Sequence, residues 1–330
     1  MSAADNQSGR WSARVASDSA APTELPGPGQ QSAPESLTGS VRPLPPERSR
    51  PAVRRTGRGP AKRGQREQAS RLEAHLSSRD LAVLFSLDAH RFLTTQQLIR
   101  FHFSGHATPA AAGRICRRVL QRLFDFGLIE HLERRVGGVR AGSASYVWRV
   151  GAVGDQLLRL LAANDDGRSR ARRKEPSLRW LEHCLQVAEV HLALLDLGRA
   201  RQLEVLSVVT EPRCWRRYTP HSGVPETLKP DLLAVTAQAE FEDHWFIEVD
   251  RATESLPTLL TKCAQYEDYR RSGQAEQAGG VLPLVVWVVP DKAHAAKLTA
   301  GINASRTLDP ALYRVCTLAS LPDVISGSAA

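Results

Sequence analysis

The chain has 330 residues, 42% hydrophobic, 6% aromatic and 24% charged, with 44 Lys/Arg against 35 Asp/Glu and a formal net charge of +9. At roughly 100–200 residues per domain, that length predicts about two domains. No run approaches the ~20 apolar residues that span a bilayer, the N-terminus lacks the apolar core of a signal peptide, and the five cysteines (Cys116, Cys184, Cys214, Cys263, Cys316) show no CxxC spacing, so a cytoplasmic chain with reduced thiols, no membrane contact, no disulfide framework and no structural zinc site is expected.

The charge is divided unevenly. Residues 1–179 hold 30 Lys/Arg and 16 Asp/Glu, a net +14, whereas residues 180–330 hold 14 and 19, a net −5. The first half is the expected polyanion binder. Residues 1–75 are predicted to be a disordered basic arm. Nine of the 20 prolines lie in the first 60 residues, and Trp11 is the only aromatic before Phe85. Such a segment cannot bury enough apolar surface to offset its ordering entropy. Its end, residues 48–63, is rich in arginine. It reads either as a solvated tail or as an arm that binds phosphates without sequence preference.

Order is predicted from residue 79. Leu81, Leu84, Phe85 and Leu87 make a helical stripe through 79–90. Thr94 or Thr95 caps a second helix over 96–103. Pro109 opens a third, running to about 126, with Ile115, Val119, Leu120, Leu123 and Phe124 inward and Gly127 as the stop. Strand-like runs at 128–136 and 145–150 flank a Gly-rich loop and form a hairpin. Helix, helix, helix, hairpin is the pattern of a winged helix-turn-helix domain, placed here at 79–163 with a last helix at 154–163. Residues 164–177, with Asp165-Asp166-Gly167 and a basic run, form the linker.

The second domain, 178–325, opens with a helix over 178–199. Strands follow at 203–210, 229–236 and 244–250, then a helix at 254–271, an apolar central strand at 281–289, a helix at 291–302 and a strand near 313–318. The order α-β-β-β-α-β-α-β gives an α+β or α/β protein, with an α/β sandwich on a mixed sheet as its second domain.

Two groups of residues carry chemistry. On the third helix, Arg114, Arg118 and Arg122 share a face, with Arg117 beside them. In a helix-turn-helix, such a helix enters the major groove of double-stranded DNA. Arg134, Arg135 and Arg140 on the hairpin are placed where a wing touches phosphates. The plainer alternative is an amphipathic helix with a solvated basic face. The other group is Lys229-Pro-Asp-Leu-Leu-Ala-Val235 followed by Trp245-Phe-Ile-Glu-Val-Asp-Arg251. Asp231 and Glu248, on successive antiparallel strands, come to one end of the sheet. Two carboxylates among apolar residues repel unless a cation lies between them, and hard oxygen donors suit Mg²⁺ or Mn²⁺.

Pro230-Asp231 with Glu248-x-Asp250 resembles the PD-(D/E)xK motif of restriction-endonuclease-like nucleases, and the element order resembles that fold's core. The stretches His90-Arg-Phe-Leu-Thr-Thr-Gln-Gln-Leu98, His183-x-Leu185, Pro230-Asp231, Glu248-Val-Asp-Arg-Ala-Thr-Glu254 and Lys262 with Tyr266 resemble the replication-relaxation family, which includes MobC-type plasmid relaxases. The resemblance implies a winged-helix part joined to a nuclease-like part. It implies action at an origin of transfer or replication on plasmid or integrative-element DNA, alongside other mobilisation or replication proteins. It makes Asp231, Glu248 and Asp250 metal ligands, and Glu189 an additional acid. Asp250 departs from the motif, which wants Lys. Lys262 on the following helix is the expected substitute, with Tyr266 and Tyr269 on the same side. Tyr266 reads as a phosphate contact, a nucleophile or a core aromatic. His183 and His191 read as packing or capping residues. The function expected is metal-dependent DNA nicking; the alternative is a non-enzymatic DNA-binding factor with a degenerate nuclease-like domain.

Overall fold

A computed structural model of the chain describes residues 74–132, 146–161, 175–220, 222–277 and 280–327, and the backbone of a strand at 14–16. The protein is α+β with a mixed sheet. Its first part begins with α1 (Ser78–His90), opened by a capping box in which Ser77 and Asp80 exchange hydrogen bonds. Strand β2 (Leu93–Thr94) leads into α2 (Thr95–His102), capped in the same way by Thr94 and Gln97. Thr108 caps α3 (Pro109–Asp125), with proline in the first turn, where its missing N–H costs nothing. β3 (Ile129–His131) and β4 (Val147–Val150) join β2 in a three-stranded antiparallel sheet ordered β2-β4-β3. Helix α4 (Ala152–Leu161) lies close beneath it: a Cβ on Gly154 would sit 2.1 Å from the Leu128 carbonyl oxygen.

The helical stripe predicted for the first part holds at Leu84, Leu87, Leu120 and Leu123, all buried. It fails at Phe85 and Phe124, which are 48% and 39% exposed. Both sit at the margin of their stripes, and Phe124 instead stacks on His131 of β3, with ring centroids 5.3 Å apart. Of the strand expected at 128–136, residues 129–131 are observed as strand, and 133–136 lie outside the described residues. The tip of the predicted hairpin, the linker residues 164–174 and almost all of the basic arm lie outside the described residues. Within the arm, β1 (Arg14–Ala16) pairs antiparallel with residues 241–243, where no regular structure is expected from the sequence. The partner strand extends beyond its other neighbour there, leaving backbone groups to pair.

The second part starts with α5 (Leu178–Arg199). Strands β5 (Glu204–Thr210), β8 (Leu232–Gln238) and β9 (Phe241–Val249) form an antiparallel meander. Between β5 and β8, a small hairpin of β6 (Arg216–Tyr218) and β7 (Glu226–Leu228) is inserted. Helix α6 (Leu256–Arg271) and the short α7 (Gln274–Gln277) cross to β10 (Leu284–Val289), which runs parallel to β9. Helix α8 (Lys292–Ala304) then leads to β11 (Tyr313–Thr317), parallel to β10, and α9 (Leu321–Ile325) ends the fold. The strand order is β11-β10-β9-β8-β5. One face carries α6 and α8 over Phe246, Trp287 and Tyr313. The other carries α5 and α9 over Ile247, Val286 and Val288. All five cysteines are buried and unpaired. Among the described residues, no helix is long and apolar enough to cross a membrane.

The two parts share α5. Its Ala188 belongs to the core of the first part and its Val187, Val190 and Leu194 to that of the sheet, while Leu181, Cys184 and Leu185 pack on Phe92, Leu132 and Val147. Polar contacts reinforce the join. Gln97 Nε2 donates to the Leu185 carbonyl at 2.8 Å and to Glu189 at 2.9 Å, and Arg100 bridges Glu189 and Asp196. His90 and His191 are linked at 2.9 Å, and burial lowers their pKa values to about 3 and about 4, so the pair is neutral at physiological pH.

Candidate active site

The sheet register brings the two expected carboxylates together. Leu232 is paired with Ile247, and the Asp231 N–H donates to the Ile247 carbonyl at 3.2 Å, so Asp231 and Glu248 meet at the end of the β8–β9 pair. The β9 strand is long and apolar, with Phe246 and Ile247 buried on opposite faces, which fixes the register and with it the position of Glu248. Asp231 is 8% exposed and Glu248 0%.

Neither carboxylate is bare. Asp231 Oδ2 accepts from the Val249 N–H at 2.8 Å, and Oδ1 faces His183 Nε2 at 3.2 Å. Glu248 Oε2 accepts from Lys262 Nζ at 2.6 Å, and Oε1 accepts a short hydrogen bond from the Tyr266 hydroxyl. Burial works to raise the Asp231 pKa, but the His183 hydrogen bond, the Lys262 charge and the Val249 N–H outweigh it and hold the group below the usual carboxylate value. Burial pushes Glu248 up to about 7, with the neighbouring Asp231 charge adding to it against the pull of Lys262. Burial would lower the Lys262 ammonium, but Glu248 and Asp231 hold it protonated well above its ordinary range. In the same way, Asp231 raises the His183 pKa in spite of burial. These groups line one pocket of about 320 Å³, together with Arg179, Trp180, Asp250 and Trp287.

The site therefore unites Asp231, Glu248, Asp250 and Lys262. Lys262 comes from α6, two turns into the helix, and delivers to Glu248 the positive charge that Asp250 cannot supply. Asp250 lines the pocket and its carboxylate accepts from the Ala252 N–H at 3.0 Å. Tyr266 lies behind Glu248, 1% exposed, and burial with the Glu248 charge raises its pKa well above 10. It is placed to hold Glu248 and does not line the pocket. Tyr269 packs against Tyr218 and Phe246. Glu189 is not in the site; Gln97 and Arg100 hold it at the join between the two parts. His183, read from the sequence as a packing residue, is instead the partner of Asp231, with Trp180 stacked on it at 5.6 Å. Spacing along α5 does not separate His183 from His191; the packing of α5 against the end of β8 reveals the pairing with Asp231.

Among the basic residues of α3, Arg114, Arg117 and Arg118 are exposed. Arg122 is bound to both oxygens of Asp80 at 2.6 Å, and the Asp80 side chain is 1% exposed. Arg134, Arg135 and Arg140 lie outside the described residues.

Asp231, Glu248 and Asp250 are the carboxylates of the pocket from which a hard divalent ion would have to take its protein oxygens, and those of Asp231 and Glu248 now accept from or face protein groups. Mg²⁺ is commonly held by one or two carboxylates plus waters, and Asp231 and Glu248 supply oxygens at a pocket wide enough for water. Among the described residues, no group of three or more His, Cys, Asp or Glu side chains that could hold a metal ion is assembled.

No curated protein and no solved structure matches the chain. The profile of the replication-relaxation family matches residues 84–285, a span running from α1 through both parts into β10 and covering every pocket residue named above except Trp287. The chain belongs to the replication-relaxation family.

Proposed function

We propose that the protein is a metal-dependent DNA-nicking enzyme that acts on double-stranded DNA at an origin on a plasmid or integrative element. The observation that carries this reading is the convergence of Asp231, Glu248 and Lys262, from β8, β9 and α6, in one pocket. That is the acid, acid and lysine set of PD-(D/E)xK nucleases, with the lysine moved to the next helix. On this reading, the second part is a restriction-endonuclease-like sandwich, and the first is a winged helix whose α3 presents Arg114, Arg117 and Arg118 to the major groove.

Asp231 and Glu248, with Asp250 and the Val249 carbonyl, would hold Mg²⁺ or Mn²⁺. Such an ion activates water and stabilises charge on a phosphoryl oxygen. Lys262 adds a fixed ammonium beside the scissile phosphate, where a cation counts most against developing negative charge. Tyr266 fixes the orientation of Glu248, and Arg179 at the rim guides the phosphate backbone inward. The buried Leu259 and Trp287 form an apolar part of the pocket wall. The test is nicking of supercoiled cognate plasmid. Nicking should require Mg²⁺ or Mn²⁺ and be lost in Asp231→Ala; activity surviving both EDTA and that substitution overturns the mechanism.

A second reading, a DNA-binding factor with a degenerate nuclease-like part, draws support from the ion-pair network itself. Lys262 and His183 already compensate the two carboxylates without any metal. Mn²⁺ uptake that depends on Asp231 and Glu248 decides against it.

A further inference from the structure

The β6–β7 hairpin is a locally basic element of the acidic second half. Residues 213–229 carry Arg213, Arg216, Arg217 and Lys229 against a single acid, Glu226, while the rest of residues 180–330 holds 10 Lys/Arg and 18 Asp/Glu. We propose that the outward face of this hairpin grips the phosphate backbone of duplex DNA next to the carboxylate pocket. The identity of the polyanion rests on the DNA-directed reading above; the placement of the cations does not.

Strand alternation sets the two faces. Tyr218 and Leu228 are buried against α6, where the Tyr218 hydroxyl reaches the Gln265 carbonyl at 3.4 Å and its ring meets Tyr269 at 5.5 Å. The residues between them, Arg217 and Thr227, are directly paired and point the other way, with Trp215 and Lys229 continuing that face. Arg217 and Lys229 are exposed, and among the described residues no acidic side chain forms an ion pair with either. Lys229 lies over the Trp215 ring at 5.1 Å, which holds its ammonium in place.

The hairpin is also tied to the pocket. It leaves the sheet from the end of β5, and its second strand, β7, ends three residues before Asp231. At its root, the Cys214 thiol donates to the Pro230 carbonyl at 3.0 Å. Its anchoring helix, α6, carries Lys262. An acidic protein partner would want apolar anchors among the charges; among the described residues of the two strands' outward face the large apolar side chain is Trp215, with Lys229 over its ring, and the exposed Val224 lies in the loop between the strands. A strand face rich in charge and poor in apolar anchors fits a backbone contact.

The test measures binding of full-length protein to random-sequence duplex, in EDTA, across about 50–200 mM salt. Each phosphate contact contributes about 0.9 to the slope of log K against log salt. Arg217→Gln with Lys229→Gln should lower the slope by about 1.8. Arg217→Lys with Lys229→Arg should leave it unchanged. An unchanged slope in the glutamine variant with its melting curve intact, an equal fall in the charge-preserving variant, or no duplex binding by the parent protein overturns the assignment. Asp231→Asn, assayed in parallel, should abolish nicking yet keep the full slope. Failure of the nuclease reading and failure of the hairpin assignment are thereby separate results.

Discussion

Replacing Glu248 with glutamine should remove a specific pH dependence of stability. Glu248 is 0% exposed, and its pKa is pushed from 4.5 up to about 7, first by burial. A carboxyl group whose pKa is higher folded than unfolded binds more protons in the folded state. It therefore contributes stability that is fully present below about pH 4.5 and is lost as pH rises through about 7. At about 1.4 kcal/mol per pH unit, the loss is on the order of 3 kcal/mol. Glutamine keeps the shape and can accept from Lys262 while donating to the Tyr266 hydroxyl, and it does not titrate. Urea unfolding of both proteins in EDTA at pH 4.5, 6 and 8 gives the difference at each pH. The attraction of Lys262 for the Glu248 carboxylate is already contained in that pKa, and the buried histidines titrate alike in both proteins and cancel. The variant-minus-parent difference should rise by about 3 kcal/mol between pH 4.5 and 8. Parallel curves would refute the claim that Glu248 is ionised at a cost in the folded protein.

Two further substitutions probe the first part. Arg122→Ala leaves the buried Asp80 carboxylate with only its helix-capping partners, and because Arg122 is half-exposed the expected loss is about 1–2 kcal/mol, read from the urea midpoint; a neutral result would return Arg122 to the set of free DNA contacts. Gly154→Ala drives a Cβ to 2.1 Å from the Leu128 carbonyl oxygen, which is backbone and cannot swing aside. Thermal melting should show a loss of about 1–3 kcal/mol, and an unchanged midpoint would mean that α4 shifts freely against β3.

Much of the site was legible because it lies in strands and a helix with strong patterns. The apolar runs around Asp231 and Glu248 fixed two adjacent strands, and pairing them places both acids at one end. Lys262 was expected from the resemblance, as the substitute on the next helix for the lysine that the motif wants at Asp250. What escaped has a common physical character: it depends on contacts between segments far apart in the chain. His183 gains its meaning from Asp231, 48 residues on, and Arg122 from Asp80, 42 residues before it. Glu189 is drawn away from the site by Gln97 and Arg100, 92 and 89 residues earlier. The β6 and β7 strands are three residues each, too short to show a period, so their alternating faces appear only once they pair. Phe85 and Phe124 fit a helical stripe by spacing, yet lie at its edge, where periodicity cannot separate buried from half-covered.

Helix α5 has a consequence for anyone who would treat this protein as two interchangeable pieces. Its first two turns hold His183 against Asp231, and six residues further along, about 9 Å of helix, Glu189 is clasped by Gln97 and Arg100. A fragment beginning at Leu178 would carry Leu181, Leu185 and Ala188 stripped of their neighbours, so the cut chain should be sticky and poorly behaved rather than a clean catalytic unit. Joining a different domain to this sheet in place of the first part would require rebuilding one flank of α5 as well. The helix acts as a common beam: one flank belongs to the core of the first part, the other to that of the sheet, and the same helix carries His183 into the pocket.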